Sequence, residues 1–148
     1  MTLQQVIPVL SIGFRPFFIL AAVMAMLNPA IWVAKYFGHI SYRFPINAGF
    51  WHAHEMIFGF TGALIAGFIL TASANWTGTV PYRGRPLAIL ACVWIFERLS
   101  FFLPVGDSAL LILSNLFFFS LSVMLYVKLK DFPKQKYVFM PLILTLSF

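Results

Sequence analysis

Four long apolar runs alternate with short polar or Gly/Pro-rich segments, and each run approaches the roughly 20 residues that cross a bilayer as a helix. The first span is predicted from Phe17 to Tyr36, with a kink at Asn28-Pro29 where the proline removes a backbone donor. The second is predicted from Trp51 to Ala74 and is uncharged from Met56 onward. The third runs from Leu87 to Leu103 and carries Glu97-Arg98 in its second half. The fourth runs from Ser108 to Val127, entered through Gly106-Asp107-Ser108 as an N-cap and left at Lys128. A fifth apolar run, Val138 to Phe148, has 11 residues before the sequence stops, and at about 1.5 Å each these reach only half of the hydrocarbon core. The expected fold is all-α: one transmembrane helix bundle of four spans plus a truncated fifth. Residues 1–148 then form a single domain that reads as the N-terminal part of a longer bundle.

Helical phase divides the second span into two faces. At about 100° per residue, His52, Glu55, Met56, Gly59, Gly62, Ala63, Ala66 and Gly67 share one broad face, polar at its start and small-residued below. Small residues let helices approach closely in lipid. Phe58, Leu64, Ile65 and Phe68 fill the remainder, and His54 falls roughly opposite His52. Two histidines so placed on one regular helix cannot ligate the same iron.

Composition strengthens the membrane assignment. Hydrophobic residues make up 61% of the chain and charged residues 9%, with a mean hydropathy of +0.92. A soluble domain carries roughly a quarter charged residues. The lipid bilayer is therefore the expected partner. The formal charge of +6 resembles a nucleic-acid signal, but its Lys and Arg lie between apolar runs and form no basic stripe, so no nucleic-acid partner is expected. On alternate sides they divide as Arg15, Arg83, Arg85, Lys128, Lys130, Lys134 and Lys136 against Lys35, Arg43 and Arg98. Seven against three predicts a cytoplasmic N-terminus. No charged n-region or cleavage site precedes the first span, which is expected to act as its own uncleaved insertion signal.

That topology puts all three histidines, His39, His52 and His54, on the outer side with Glu55 and Met56. Imidazole ligates haem iron and copper, and thioether favours Cu(I), so the cluster is a candidate haem or metal site. The alternative is that these histidines simply meet interfacial water. Glu97-Arg98 is costly inside a membrane and needs partners. Adjacent helical residues do not face one another, so separate partners are expected, with Glu97 toward the bundle and Arg98 snorkelling outward. Arg98 is a candidate partner for an anionic group such as a haem propionate; structural pairing between helices is the alternative. Cys92, the single cysteine, excludes an intrachain disulfide and reads as a small buried hydrophobe. Asn75-Trp76-Thr77 reads as a helix end with an interfacial Trp, and Arg83-Gly84-Arg85-Pro86 as a cytoplasmic turn.

Gly13-Phe14-Arg15-Pro16-Phe17-Phe18, followed by Trp51-His52-Ala53-His54-Glu55-Met56-Ile57-Phe58-Gly59-Phe60, resembles the NnrS family of bacterial inner-membrane proteins. Ile65-Ala66-Gly67-Phe68, Leu70-Thr71-Ala72, Asn75-Trp76-Thr77-Gly78 and Arg83-Gly84-Arg85-Pro86 continue it in order. The resemblance covers roughly the first ninety residues; beyond them only hydropathy agrees. It implies haem and copper as cofactors, an inner-membrane location, and a role in denitrification and nitric-oxide resistance. The matched His52, His54 and Glu55, with Arg98, are taken on chemical grounds as the candidate cofactor-binding residues, and His52, His54 and His39 as the candidate metal ligands. Two other functions fit the same features. One is a transporter whose path is marked by the Asn28-Pro29 break and Glu97; the other is an assembly subunit with no centre of its own. A chain that stops in its fifth run is further expected to need later helices, or self-association, to complete a cofactor site.

Overall fold

A computed structural model describes residues 7–42, 46–104 and 106–132. After a 3-10 turn at Pro8–Leu10 come α1 (Phe14–Tyr36), α2 (Ala48–His54), α3 (Gly62–Thr77), α4 (Arg85–Ser100), α5 (Asp107–Leu113) and α6 (Leu116–Leu129). A π-helical turn, Glu55–Thr61, joins α2 to α3 without interruption. No strand occurs among the described residues.

Among the described residues, three stretches are long and apolar enough to cross a membrane: Phe14–Tyr36, Ala48–Thr77 and Ser108–Leu129. This corrects the expected four spans plus a fifth. The predicted third span forms α4, whose 16 residues extend about 24 Å, short of a ~30 Å hydrocarbon core. The run from Val138 lies outside the described residues. α4 still joins the two ends of the bundle. At its start, the Gly84 N–H donates to the Leu10 carbonyl at 2.8 Å. Just past its end, Phe101 accepts from the Tyr42 hydroxyl at 3.2 Å. The first end gathers Arg15, Arg85 and Lys128, whose Nζ donates to the Val80 carbonyl at 2.5 Å. At the second end, Lys35 donates to the carbonyls of Ile40 and Tyr42. Among the described residues, Arg15, Arg85 and Lys128 thus share one end of the bundle and Lys35 lies at the other.

Close approach between α1 and α3 holds the bundle. Gly59, Gly62, Ala63, Ala66 and Gly67 are all buried, as the small-residue face predicts. A methyl group at Gly13 would stand 2.7 Å from Leu70 Cβ, and one at Gly67 3.1 Å from Phe17 Cβ. Lipid tails are as apolar as leucine, so this contact gains through packing rather than expulsion of water. Thr71 Oγ1 accepts the Phe14 N–H at 3.0 Å, satisfying an orphan donor of α1. The core continues through Leu87, Leu90, Phe117, Phe118, Leu121 and Leu125. α3 ends at Thr77 on Gly78, which adopts the left-handed conformation at φ 63°, with Trp76 exposed beside it as the sequence predicts.

α1 runs as one helix with Pro29 inside it and its neighbour Asn28 buried in contact with α2. Two local expectations change. The fourth predicted span is two helices, parted at Ser114 and Asn115. Cys92 is exposed on the outer face of α4, since Leu90 and Trp94 take the inward positions.

Candidate functional site

The second span opens with its polar residues divided between two neighbours. On one side stands α1. His52 Nδ1 lies 2.7 Å from Asn28 Oδ1, while Asn28 Nδ2 reaches the His52 carbonyl at 3.4 Å. The carbonyl accepts only, so the amide nitrogen must face it and Oδ1 must accept from the ring. In the neutral ring Nδ1 then carries the proton and Nε2 the lone pair. The ring lies on Trp32, centroids 4.9 Å apart and planes 27° from parallel. Tautomer and orientation are both fixed.

On the other side stands the end of α4. His54 Nδ1 lies 3.0 Å from Glu55 Oε1, and its ring packs against Phe58 and Phe101. An ionised carboxylate only accepts, so this Nδ1 is also the protonated nitrogen. Glu55 is 1% exposed. Its Oε2 faces Arg98 Nε at 3.0 Å, an ion pair whose angle falls short of a hydrogen bond.

Arg98 then links two carboxylates. Its Nη2 donates to Glu97 Oε1 at 2.5 Å, and Glu97 Oε2 accepts the Phe117 N–H at 3.2 Å. The row His54, Glu55, Arg98, Glu97 thus ends on the first turn of α6, where an orphan helix donor needs an acceptor. This corrects the expected separate partners for Glu97 and Arg98. Near the end of α4 the long guanidinium stem folds back on its neighbour while reaching across to Glu55. Arg98 is buried, not snorkelling outward. The expected inward Glu97 is found, in the same part of the bundle as Glu55.

The π-turn makes room for this row. Gly59, at its inner side, has no side chain where a Cβ would meet Glu55 Oε2 at 3.1 Å and Arg98 Cδ at 3.4 Å. Trp94 braces both partners: its Nε1 donates to the Gly59 carbonyl at 3.2 Å, and its ring lies 5.6 Å from the guanidinium carbon. A cation over an indole face is attracted by the ring quadrupole.

The site residues named from sequence therefore fall into three places. His52 faces α1, His54 faces α4 through Glu55 and Arg98, and His39 is exposed beyond α1. No group of three or more His, Cys, Asp or Glu able to hold a metal ion forms among the described residues. The two imidazoles are thus separate donors. Sequence reasoning named Asn28 only as part of the Asn28-Pro29 break, not as the partner of His52, and missed Trp32 and Trp94. Only Asn28 carried a local signal, being an amide inside an apolar span, where a polar group needs a partner.

A chain whose described residues are all-helical, with three membrane-length helices and a buried carboxylate–arginine–carboxylate row among them, is a polytopic membrane protein. It belongs to the NnrS family, whose model, described as NnrS protein, matches residues 8–148. The likeness therefore extends well past the ninety residues that the motifs cover. No curated protein and no solved structure matches the chain.

Proposed function

We propose that this chain is a membrane haem- and copper-binding protein of the NnrS type, acting in nitric-oxide resistance and denitrification at the bacterial inner membrane. The observation that carries the reading is the state of the two imidazoles. Each has Nδ1 committed to an oxygen and Nε2 without a hydrogen-bond partner among the described residues. Histidine ligands usually donate their second nitrogen to a carboxylate or carbonyl oxygen, which fixes the tautomer and raises ligand basicity.

The donor set fits a cofactor that takes one imidazole from each position. It does not assemble three protein ligands around one copper ion among the described residues. His52 would hold one such group through Nε2, and His54 a second, separate one. Glu55 would orient His54. Arg98 Nη1, buried and without a hydrogen-bond partner, would retain a donor for an anionic group such as a propionate. Haem iron held there would supply a one-electron centre able to take a diatomic ligand. Trp32, Phe58 and Phe101 would keep water from the rings.

The features that favoured a transporter have other uses here. Asn28 is committed to His52, and Glu97 to Arg98 and α6. The test is an absorption spectrum and metal analysis of the protein purified from membranes in mild detergent. A Soret band with bound copper is expected. Neither cofactor, under conditions where the protein is folded, would refute the reading.

A further inference from the structure

A second feature lies at the opposite end of the bundle. An apolar groove of about 390 Å³ runs between α4 and α6, lined by Pro86, Ile89, Leu90, Phe119, Val123 and Met124, with Ser120 among them. The lining covers four residue steps along α4 and five along α6, or about 6–8 Å of helix axis. It is open along its side, as a site filled from the bilayer must be.

Cations stand where the groove meets the bundle end. Arg85 is exposed immediately before Pro86 and has no hydrogen bond or ion pair among the described residues. Lys128 follows Met124 by one helical turn, with its ammonium 5.0 Å from the Tyr82 ring centre. Tyr82 ties this corner together, its hydroxyl donating to the Met124 carbonyl at 2.7 Å. Arg83 and Lys130 are exposed nearby in sequence, and Asp131 is the acid at this end among the described residues. Glu55 and Glu97 are spent on Arg98 in the other part of the bundle.

We propose that this corner is a binding site for an anionic phospholipid. One acyl chain lies in the α4–α6 groove and the phosphate lies between Arg85 and Lys128. The occupant follows from the combination. An apolar slot open to lipid selects an acyl chain, and a cationic mouth at its head-group end selects negative charge. Basic pockets between transmembrane helices bind anionic head groups on this principle. The inference stands apart from the histidine site and does not depend on it.

The test uses the protein in mild nonionic detergent, titrated with phosphatidylglycerol or with phosphatidylcholine of identical chains. Bound lipid is read by native mass spectrometry and stability by thermal melting. One phosphatidylglycerol is expected to be retained in preference to phosphatidylcholine and to raise the melting temperature. At about 1 kcal/mol per cation near a head group, Arg85→Gln and Lys128→Gln should each weaken the preference about fivefold, and together about 25-fold. Arg15→Gln, at the same end but on α1 and outside the lining of the α4–α6 groove, should leave it intact. Ser120→Phe should displace the lipid while preserving the fold. Equal retention of both lipids would overturn the proposal, as would an equal loss of preference in Arg15→Gln. So would an absence of retained lipid, or the finding that a second copy of the chain covers the groove.

Discussion

Asn28 and His52 hold one another by two hydrogen bonds, 2.7 Å from Oδ1 to Nδ1 and 3.4 Å from Nδ2 to the His52 carbonyl. The pair joins α1 to the second span and leaves Nε2 as the basic nitrogen. An asparagine in the middle of an apolar helix is thereby explained by an imidazole 24 positions away.

Replacing Asn28 by Leu should then do two things. Loss of the buried partner should destabilise the protein by about 1–3 kcal/mol. Loss of the orienting acceptor should lower cofactor affinity by roughly 10–100-fold. Asn28→Asp, which keeps an acceptor for Nδ1, should retain more cofactor than Asn28→Leu. Titration of the purified variants with haem, followed by absorbance, checks the order.

The buried charges make a second prediction. Arg98→Leu strands Glu55 and Glu97 without their shared cation, and breaking a buried pair in this way costs about 3–5 kcal/mol. The variant should accumulate poorly in membranes. Adding Glu55→Gln and Glu97→Gln to Arg98→Leu should recover part of that loss. Thermal melting of the solubilised proteins measures both steps, and full additivity would show that the row is not a unit.

Close packing supplies a third. A methyl at Gly13 meets Leu70 Cβ at 2.7 Å, and one at Gly62 meets the ring tip of Phe118 at 2.8 Å. The distances are nearly equal but the neighbours are not. A ring tip can swing aside, whereas a Cβ moves only with its helix. Gly13→Ala should therefore cost more than Gly62→Ala, within the roughly 1–3 kcal/mol typical of overpacking. Melting temperatures of the two variants test the ranking.

Topology gives a fourth. Because α4 carries the chain from one end of the bundle to the other, the Lys/Arg sorting predicts that reporters fused after Gly38 and after Pro104 behave as periplasmic, and fusions after Pro81 and after Lys130 as cytoplasmic. The reverse pattern would turn the histidine end of the bundle toward the cytoplasm.

How far the sequence reaches is clear from these residues. The buried stripe from Gly59 to Gly67 was legible because periodicity is a local property that survives one widened turn. The opposed placement of His52 and His54 was legible for the same reason. The site's connections were not. Arg98 to Glu55 spans 43 positions, and Trp94 to Gly59 spans 35, with no spacing rule to announce either contact. The π-turn was hidden as well, since nothing in Glu55 to Thr61 distinguishes an i→i+5 turn from an ordinary one. The short α4 misled by hydropathy alone: its apolar run was counted into the loop that follows Ser100.

The central claim is that His52 and His54 are two separately oriented imidazole ligands. Haem and copper content of the purified protein, compared among wild type, His52→Ala, His54→Ala and the double variant, tests it most directly. The account predicts a partial loss in each single variant, greater for His52→Ala because its ring is fixed by both Asn28 and Trp32, and near-complete loss in the double variant. Unchanged content in the double variant, with the protein still folded, would contradict it.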